Sequence, residues 1–520
     1  EMAGVRGVVG AFFLGLGVGA WALDRPIARA SRPGLWYVVL EIALAVWACV
    51  SLVLIPRVDE IAAGLLGKSP GLITHAGLAT LIPALLLLPA TAAMGATLPA
   101  MERFAVARER ERSGSRKLVG GLYSANTLGA MIGALAITFW VLPSLGFRGT
   151  TLALAGLNVL CALGAIGLGA LKIVAQEDGD TAHSDVSAPS EASLDAESTP
   201  LSERRVWATL FATGFLGIAY ETVGIRMLSQ ILENTVYTFA VVLSVYLLGT
   251  AAGAALFQRW LRDRPLDSVL GGLLASLSIA CFVGTGTMDF GRGLHDRLGY
   301  EQGFIAAVFT EGLLATLVFL VPSVLMGVTF GALTQHLRRP DGGLGRALAV
   351  NTLGSALAPS LAGWLLVPVL GLRWAMVAIA AGYGALALGR VRSTAFTLST
   401  FFAVVWIGSS ELSLIDVDEG AEVLSRRDGV MATVTVTERS GGTRTLRVDN
   451  HFRMGSSQRV FLERRLGMIP LLLHPEPERA LFLGLGTGVT LSSATFFDGL
   501  KADGVELVPE VLDALPLFEL

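Results

Sequence analysis

Ala480-Leu-Phe-Leu-Gly484-Leu-Gly486-Thr-Gly488-Val-Thr490 is the stretch that decides the fold of the C-terminal part of this chain. An apolar run leads into glycines at alternate positions, and the next short run ends at Glu506. Glycines in such a turn let backbone N–H groups approach a ligand, and a carboxylate after the second strand can accept hydrogen bonds from ribose hydroxyls. The pattern predicts a nucleoside-cofactor site, with a tight β–α turn that binds nothing as the alternative. The predicted binding residues are Gly484, Leu485, Gly486, Thr487, Gly488 and Glu506.

Most of the chain upstream has the composition of a membrane protein. Of its 520 residues, 53% are hydrophobic and 16% are charged, whereas a soluble protein carries about 25% charged residues. Apolar runs of about 18 residues or more are long enough to cross a bilayer. The predicted membrane helices are 5–22, 35–55, 71–100, 118–142, 148–171, 206–228, 236–258, 267–288, 304–335, 344–369 and 372–390.

An internal repeat organises these helices. Ser124-Ala-Asn126-Thr-Leu-Gly129 recurs as Ala349-Val-Asn351-Thr-Leu-Gly354, and Leu142-Pro143-Ser-Leu-Gly146 recurs as Val367-Pro368-Val-Leu-Gly371, both 225 positions later. The helix 206–228 has no counterpart in the first half. We therefore predict two repeated six-helix halves whose first helix is missing, a layout similar to that of major-facilitator transporters.

The composition divides the chain into five parts. Residues 176–203 contain no Lys or Arg and are rich in Ser, Ala, Asp and Glu, which predicts a disordered acidic linker. The predicted parts are 1–175 (first membrane repeat), 176–203 (linker), 204–410 (second membrane repeat), 411–455 (small β-domain) and 456–520 (start of a Rossmann-like α/β domain).

The charges of the loops predict an orientation in a bacterial inner membrane. Arginine-rich loops follow the helices 5–22, 71–100, 236–258 and 304–335. Strict alternation puts all four loops on one side, which the positive-inside rule makes cytoplasmic. The run 394–408 is short for a span. We expect it to be interfacial or buried, which keeps the C-terminal tail cytoplasmic.

Few polar residues of the membrane helices could carry chemistry. Tyr220, Glu221 and Arg226 form a possible polar site, as a ligand contact or a structural clamp, with the clamp favoured. Glu41 and Glu311 are similar isolated acids that rank lower.

Small residues in these helices are expected to serve packing. Gly15 and Gly19 are spaced to let helices approach closely, as are Gly249 and Gly253. The three cysteines, Cys49, Cys161 and Cys281, lie inside apolar runs and are predicted to be buried. No metal site is predicted.

The tail begins with strand-like alternation. The runs 430–437 and 443–450 flank Gly441-Gly442, which predicts a β-hairpin, and a helix is expected over 457–473. Residues 446–510 then resemble the spermidine synthase (polyamine aminopropyltransferase) family, through the approach segment 467–484 and through Val505-Glu506. The whole chain looks like the membrane-fused bacterial branch of that family.

The resemblance implies a reaction. The glycine loop and Glu506 would bind decarboxylated S-adenosylmethionine or S-adenosylmethionine, and an amine would attack the carbon next to sulfur. The catalytic Asp of the family is expected beyond Leu520, so the chain appears truncated at both ends and inactive as it stands.

The positions that contact the amine depart from the family pattern. Arg453, Gln458-Arg459 and Leu462-Glu463 replace Gln, Asp-Glu and Tyr-His, and Met431-Ala432 replaces Tyr-Gln. Arg453 and Arg459 would repel a dicationic amine, so an altered acceptor is expected.

Two alternatives stay open. One is an S-adenosylmethionine-dependent methyltransferase, and the other is a transporter or sensor with a nucleoside-binding tail. The expected partners are the lipid bilayer and a small amine, a polyamine in the simplest case. Nucleic acid is not expected, and a homo-oligomer is compatible with the sequence.

Overall fold

The structure is a computed structural model. It describes residues 2–66, 72–111, 118–172, 202–232, 235–298, 303–337, 343–387, 401, 403–405, 417, 420–450 and 452–518. Most of the predicted linker 176–203 and of the segment 394–408 lies outside these residues.

Long apolar helices form the larger part of the described chain. Nine stretches within it are long and apolar enough to cross a membrane, which marks this chain as a membrane protein. The helices are α1 (Met2–Ala28), α2 (Pro33–Leu54), α3 (Val58–Leu66), α4 (Leu72–Glu111), α5 (Leu118–Ala136), α6 (Leu142–Gly167), α7 (Glu203–Leu228), α8 (Val236–Leu256), α9 (Leu266–Leu298), α10 (Phe304–Ala315), α11 (Val321–His336), α12 (Leu344–Leu361) and α13 (Val367–Ala387).

Two of the nine stretches are interrupted by a glycine. The stretch 121–167 breaks at Gly146 (φ 63°, ψ −179°), and the stretch 344–387 breaks at Gly371 (φ 75°, ψ 165°). Only glycine adopts this backbone conformation readily. Each stretch therefore contains two of the predicted runs, which accounts for the eleven runs expected from sequence.

A π-helical turn precedes each of these breaks. The turns are Ile137–Val141 and Ala362–Leu366. They lie 225 positions apart, as do the two glycines, and this is the offset found in the sequence.

Glycine stripes bring pairs of helices into close contact. A Cβ on Gly19 of α1 would lie 1.8 Å from the carbonyl oxygen of Ala92 on α4. A Cβ on Gly253 of α8 would lie 2.0 Å from the carbonyl oxygen of Val324 on α11. Neither position can hold a larger residue without moving a backbone, so the predicted packing role of these stripes is confirmed.

The cysteines are distributed differently from the prediction. All three are free, Cys281 is buried, and Cys49 and Cys161 are exposed on the outside of the bundle. The prediction was wrong for these two because an apolar run that faces lipid has no polar side to distinguish it from a buried one.

The tail contains two small sheets. The strands β1 (Ala421–Asp428), β2 (Thr433–Arg439), β3 (Arg444–Val448) and β4 (Phe452–Ser456) form an antiparallel sheet in that order. The predicted hairpin is the β2–β3 pair, and the structure adds a strand on each side of it. Next come α14 (Val460–Leu473), β5 (Arg479–Leu483), α15 (Val489–Ser492), β6 (Lys501–Val505) and α16 (Pro509–Ala514), with β5 and β6 paired in parallel.

The tail is docked on the C-terminal end of α7. Arg226 donates to the carbonyl oxygen of Val430 at 3.4 Å and to that of Gly429. Gln230 Nε2 donates to Asp449 Oδ1 at 3.0 Å. We call these five residues the α7–tail joint.

A second contact fixes the same face of the tail. The backbone N–H of Leu372, directly after the break of α13 at Gly371, donates to Asp428 Oδ2 at 3.2 Å. The joint and this contact place the tail at the end of the bundle where α7 ends and where the chain reverses at Gly371.

This end lies opposite the arginine-rich loops. Helix α7 runs parallel to α12, because Asn351 Nδ2 donates to the Leu210 carbonyl (3.0 Å) and Ser355 Oγ to the Gly214 carbonyl (3.2 Å). Both helices therefore begin at one end of the bundle. At 1.5 Å per residue, the 26 residues of α7 carry it about 39 Å to the other end.

The starting end is the one that bears the arginines. Asp24, near the end of α1, accepts from the N–H of Gly345 at the start of α12 (3.0 Å). Gln335, at the end of α11, donates to the carbonyl oxygen of Arg262 in the loop after α8 (2.7 Å). The tail is thus on the opposite face from these loops, which differs from the expectation that it shares their side.

Candidate functional site

The glycine loop joins β5 to α15 and has the conformation that its sequence requires. Gly484, Gly486 and Gly488 have φ values of 86°, 54° and 77°, in the left-handed region that favours glycine. The Gly484 N–H donates to the Val505 carbonyl (2.8 Å), which holds the loop to the end of β6. A Cβ on Gly484 would meet no atom within 4 Å, so the loop is open at that point.

Glu506 directly follows β6, and its carboxylate binds the loop. Oε2 accepts from the N–H groups of Leu485 (2.8 Å) and Gly486 (3.4 Å). Oε1 accepts from Leu507 (2.8 Å) and Val508 (3.0 Å). A carboxylate offers about four lone-pair positions, so these four donors occupy its acceptor capacity.

The hydrogen bonds also set the charge state of Glu506. Partial burial on its own raises the pKa of this carboxyl, but the N–H donors of Val508, Leu485, Gly486 and Leu507 outweigh it and lower the pKa from its ordinary value. Glu506 is therefore ionised at neutral pH. A ligand hydroxyl that displaced one of the loop N–H groups would therefore donate its hydrogen bond to an anionic carboxylate.

A second carboxylate supports the loop from α14. Thr487 Oγ1 donates to Glu463 Oε2 at 2.6 Å, and Ser456 N–H donates to Glu463 Oε1 at 3.3 Å. A Cβ on Gly486 would lie 3.1 Å from the carbonyl oxygen of Met454 in β4. The loop is thus enclosed between the antiparallel sheet, α14 and the β5–β6 pair.

In the sequence, Glu463 stands out only as a departure from the family pattern. The hydrogen bond between Glu463 and Thr487 joins residues 24 positions apart on two different elements, so no local sequence motif indicates it. The other departures lie nearby: Arg453 is paired with Arg447 in the β3–β4 register and donates to Thr445 Oγ1 at 3.5 Å. Arg459 directly precedes α14.

The residues of the predicted membrane polar site have different contacts. The Tyr220 hydroxyl is buried and donates to the Val318 carbonyl at 3.0 Å, which ties α7 to the π-helical turn 316–320. Arg226 belongs to the α7–tail joint. No ion pair joins Glu221 to Arg226 in the described part of the chain, and a shared polar site stays a prediction.

The two isolated acids have different surroundings. Glu311 is buried and accepts from Thr238 Oγ1 at 2.9 Å, which links α10 to α8. Glu41 is 7% exposed and lines a cavity between the helical halves.

Comparison with known proteins gives a distant relative. No family model matches the chain. Polyamine aminopropyltransferase 2 of Aquifex aeolicus (strain VF5) is 25% identical over 320 residues, which cover 58% of this chain and 62% of that protein. The chain therefore spans less than two thirds of the relative, and the similarity supports a transferase of the spermidine synthase type at family level.

The extent of the match has a structural consequence. The predicted tail 411–520 is about a fifth of the 520 residues, far less than the 58% that is matched. The matched region therefore includes part of the helical domain as well.

Proposed function

We propose that this protein is a membrane-bound transferase that moves an aminopropyl group from decarboxylated S-adenosylmethionine to an amine. The observation that carries the proposal is the closure of the glycine loop on Glu506 at the ends of two parallel strands. The similarity to an aminopropyltransferase supports the same reaction class. It also supports the fused architecture, because the match extends into the helices.

The loop residues fit an adenosyl group. The backbone at Gly484 is open, and Glu506 is an ionised acceptor beside it. Gly484 to Gly488 would contact the nucleoside, and Glu506 would accept from the ribose hydroxyls after release of the loop N–H groups. When bound, the cofactor supplies a carbon activated by its positive sulfur, and the amine forms the new C–N bond as the C–S bond breaks.

The acceptor is proposed to differ from a simple diamine. Arg453 lies on β4 and directly precedes Met454, whose carbonyl oxygen faces Gly486 of the loop, and Arg459 directly precedes α14. Two guanidinium groups at this edge disfavour a dication by like-charge repulsion. A monoamine, or an amine that carries an anionic group, is the acceptor that these charges favour.

A transfer assay tests the reaction. The full-length protein in detergent is incubated with decarboxylated S-adenosylmethionine and with amines of different charge, and products are identified by mass spectrometry. Aminopropylated product and methylthioadenosine are expected for the wild type and absent for Glu506→Gln, while the exposed Glu478→Gln serves as matched control. Methyl transfer from S-adenosylmethionine without aminopropyl transfer, or spermidine as the main product from putrescine, would contradict the proposal.

We also infer that the helical domain consists of two repeats. The support is the shared 225-residue offset of the sequence motifs, of the π-helical turns and of the glycine breaks. The close approaches of Gly19 and Gly253 to neighbouring helices add a matching contact in each half.

The tail is further proposed to lie on the non-cytoplasmic face of a bacterial inner membrane. The arginine-rich loops are at the end of the bundle remote from the α7–tail joint, and the positive-inside rule makes that remote end cytoplasmic. Ala403 and Val404, which precede the tail, pack against the core of the second half. The cofactor and the amine would then be used on the outer face.

Cysteine labelling in intact cells tests the side. In a variant without the native cysteines, Ser440→Cys on an exposed turn of the tail should react with an impermeant maleimide. Arg29→Cys, which is exposed after α1, should react only after permeabilisation. The reverse pattern would refute the placement and leave the proposed chemistry intact.

A further inference from the structure

A cavity of about 640 Å³ lies between the two halves of the helical domain. Its wall is formed by α1, α2, α4, α5 and α6 on one side and by α7, α8, α9, α11 and α12 on the other. Small-molecule sites have volumes of about 300–1,000 Å³, so the cavity can enclose a ligand of modest size.

The cavity wall carries a single formal charge. Glu41 of α2 is the one acidic residue of the wall, and no Lys, Arg or His lines it in the described structure. Its immediate polar neighbours are uncharged: Tyr37 is one turn earlier on the same helix, and Cys161 is on α6. A carboxylate in such surroundings is costly without a cation, and the wall does not supply one.

The threonine and serine hydroxyl groups named below line the cavity and present acceptors. Their protons are already donated to backbone carbonyls of their own helices or, for Ser355, also to a neighbouring helix. The distances to these carbonyls are 2.7 Å for Thr97, 2.9 Å for Thr127, 3.1 Å for Thr213, 3.0 Å for Thr250, 2.7 Å for Thr329, 2.6 Å for Thr352 and 3.1 Å for Ser355.

The amide of Asn351 adds a further acceptor. One N–H of its Nδ2 donates to the Leu210 carbonyl, and its Oδ1 can accept from a ligand. The threonine and serine oxygens together with this amide oxygen are complementary to a ligand that donates.

We propose that this cavity binds one primary ammonium group on an apolar body, with Glu41 as its counter-charge. The ammonium has three donors and no acceptor, which matches the negative charge of Glu41 and the threonine and serine acceptors of the wall. Phe12, Phe13, Tyr123 and Phe330 line the cavity and provide apolar and π surface for the remainder of the ligand. A second ammonium on the same ligand has no counter-charge, so a diamine binds less tightly than the corresponding monoamine.

This inference does not depend on the transfer reaction proposed for the tail. It is tested by isothermal titration of the full chain in lipid nanodiscs with n-butylamine, n-butanol, butyrate and 1,4-diaminobutane at neutral pH. Butylammonium is expected to bind at least about tenfold more tightly than each of the other three, because a buried charge pair is lost or unbalanced in each case. If butanol bound as tightly as butylammonium, or if the diamine bound more tightly, the proposal would be overturned by the wild-type protein alone.

Variants locate the site. Glu41→Gln should lower the affinity for butylammonium by at least about tenfold, while Glu41→Asp, which keeps the charge, should retain part of it. Glu311→Gln is the matched control, since Glu311 is also a buried membrane carboxylate but does not line the cavity. Unchanged affinity in Glu41→Gln, or an equal loss in Glu311→Gln, would refute the role of Glu41, and transfer activity of the tail is measured separately.

Discussion

The α7–tail joint predicts that Arg226 holds the tail to the membrane domain. Its guanidinium donates to the carbonyl oxygens of Gly429 and Val430, and the carboxylates of Asp449, Asp428 and Glu510 surround it. Arg226→Ala removes both donors and the positive charge near these carboxylates. Hydrogen bonds from a charged group contribute about 1.5–3 kcal/mol, so the docking equilibrium should weaken by roughly tenfold to a hundredfold.

Hydrogen–deuterium exchange of the full chain measures this loss. The peptides that cover 426–434 and 446–450 should exchange much faster in Arg226→Ala, while a peptide from the glycine loop, 479–490, should change less. Arg226→Lys keeps the charge but cannot supply a rigid fork of donors to two carbonyls, so an intermediate effect is expected.

The control for this experiment is at the other end of the same helix. Arg204 is exposed at the start of α7, and Arg204→Ala should leave exchange in both joint peptides unchanged. Exchange in Arg226→Ala that is no faster than in Arg204→Ala would show that the joint is held by other contacts and that the electrostatic reasoning is wrong.

Three further predictions concern the loop and the glycines. Because the pKa of Glu506 is lowered in the folded protein, its contribution to loop stability is complete above the ordinary Glu pKa of about 4.3 and is lost as the pH falls through the lower folded value. Hydrogen–deuterium exchange of the peptide 479–490 should show this step in the wild type and not in Glu506→Gln. Gly371→Ala and Gly146→Ala should each destabilise the folded protein by about 1–3 kcal/mol because of the backbone conformation at these positions. The loss should be larger for Gly371→Ala, since its Cβ would lie 3.2 Å from a carboxylate oxygen of the tail. Equal melting temperatures for the wild type and both variants would contradict this. Gly253→Ala should cost about 1–3 kcal/mol through overpacking against the facing helix, whereas Gly129→Ala, with no atom within 4 Å of the added Cβ, should be neutral in the same melting assay.

The outward placement proposed for the tail would separate two parts of the proposed chemistry. The glycine loop and Glu506 are remote from the arginine-rich loops, and the cavity with Glu41 lies between the helical halves. A domain that transfers groups to amines and a membrane cavity suited to an ammonium ion would act on related compounds. The labelling, transfer and titration experiments test these three elements independently.

Local sequence determined the elements of the fold that depend on backbone preference and apolar length. The apolar runs gave the membrane helices, and Gly484, Gly486 and Gly488 predicted a loop whose left-handed conformations need glycine. Glu506 was placed at the loop because it ends the next strand of a parallel pair. These features could be predicted because each depends on residues close together in the chain.

Only the tertiary structure decided which distant groups meet. Arg226 contacts residues more than 200 positions away, Glu463 reaches Thr487 from another helix, and Glu41 is the single charge of a cavity built from both halves. An arginine or a glutamate at a helix end has the same local pattern whether it faces a ligand, a second domain or solvent. The end of the bundle on which the tail lies likewise follows from its contacts with α7 and Leu372, which join residues far apart in the chain.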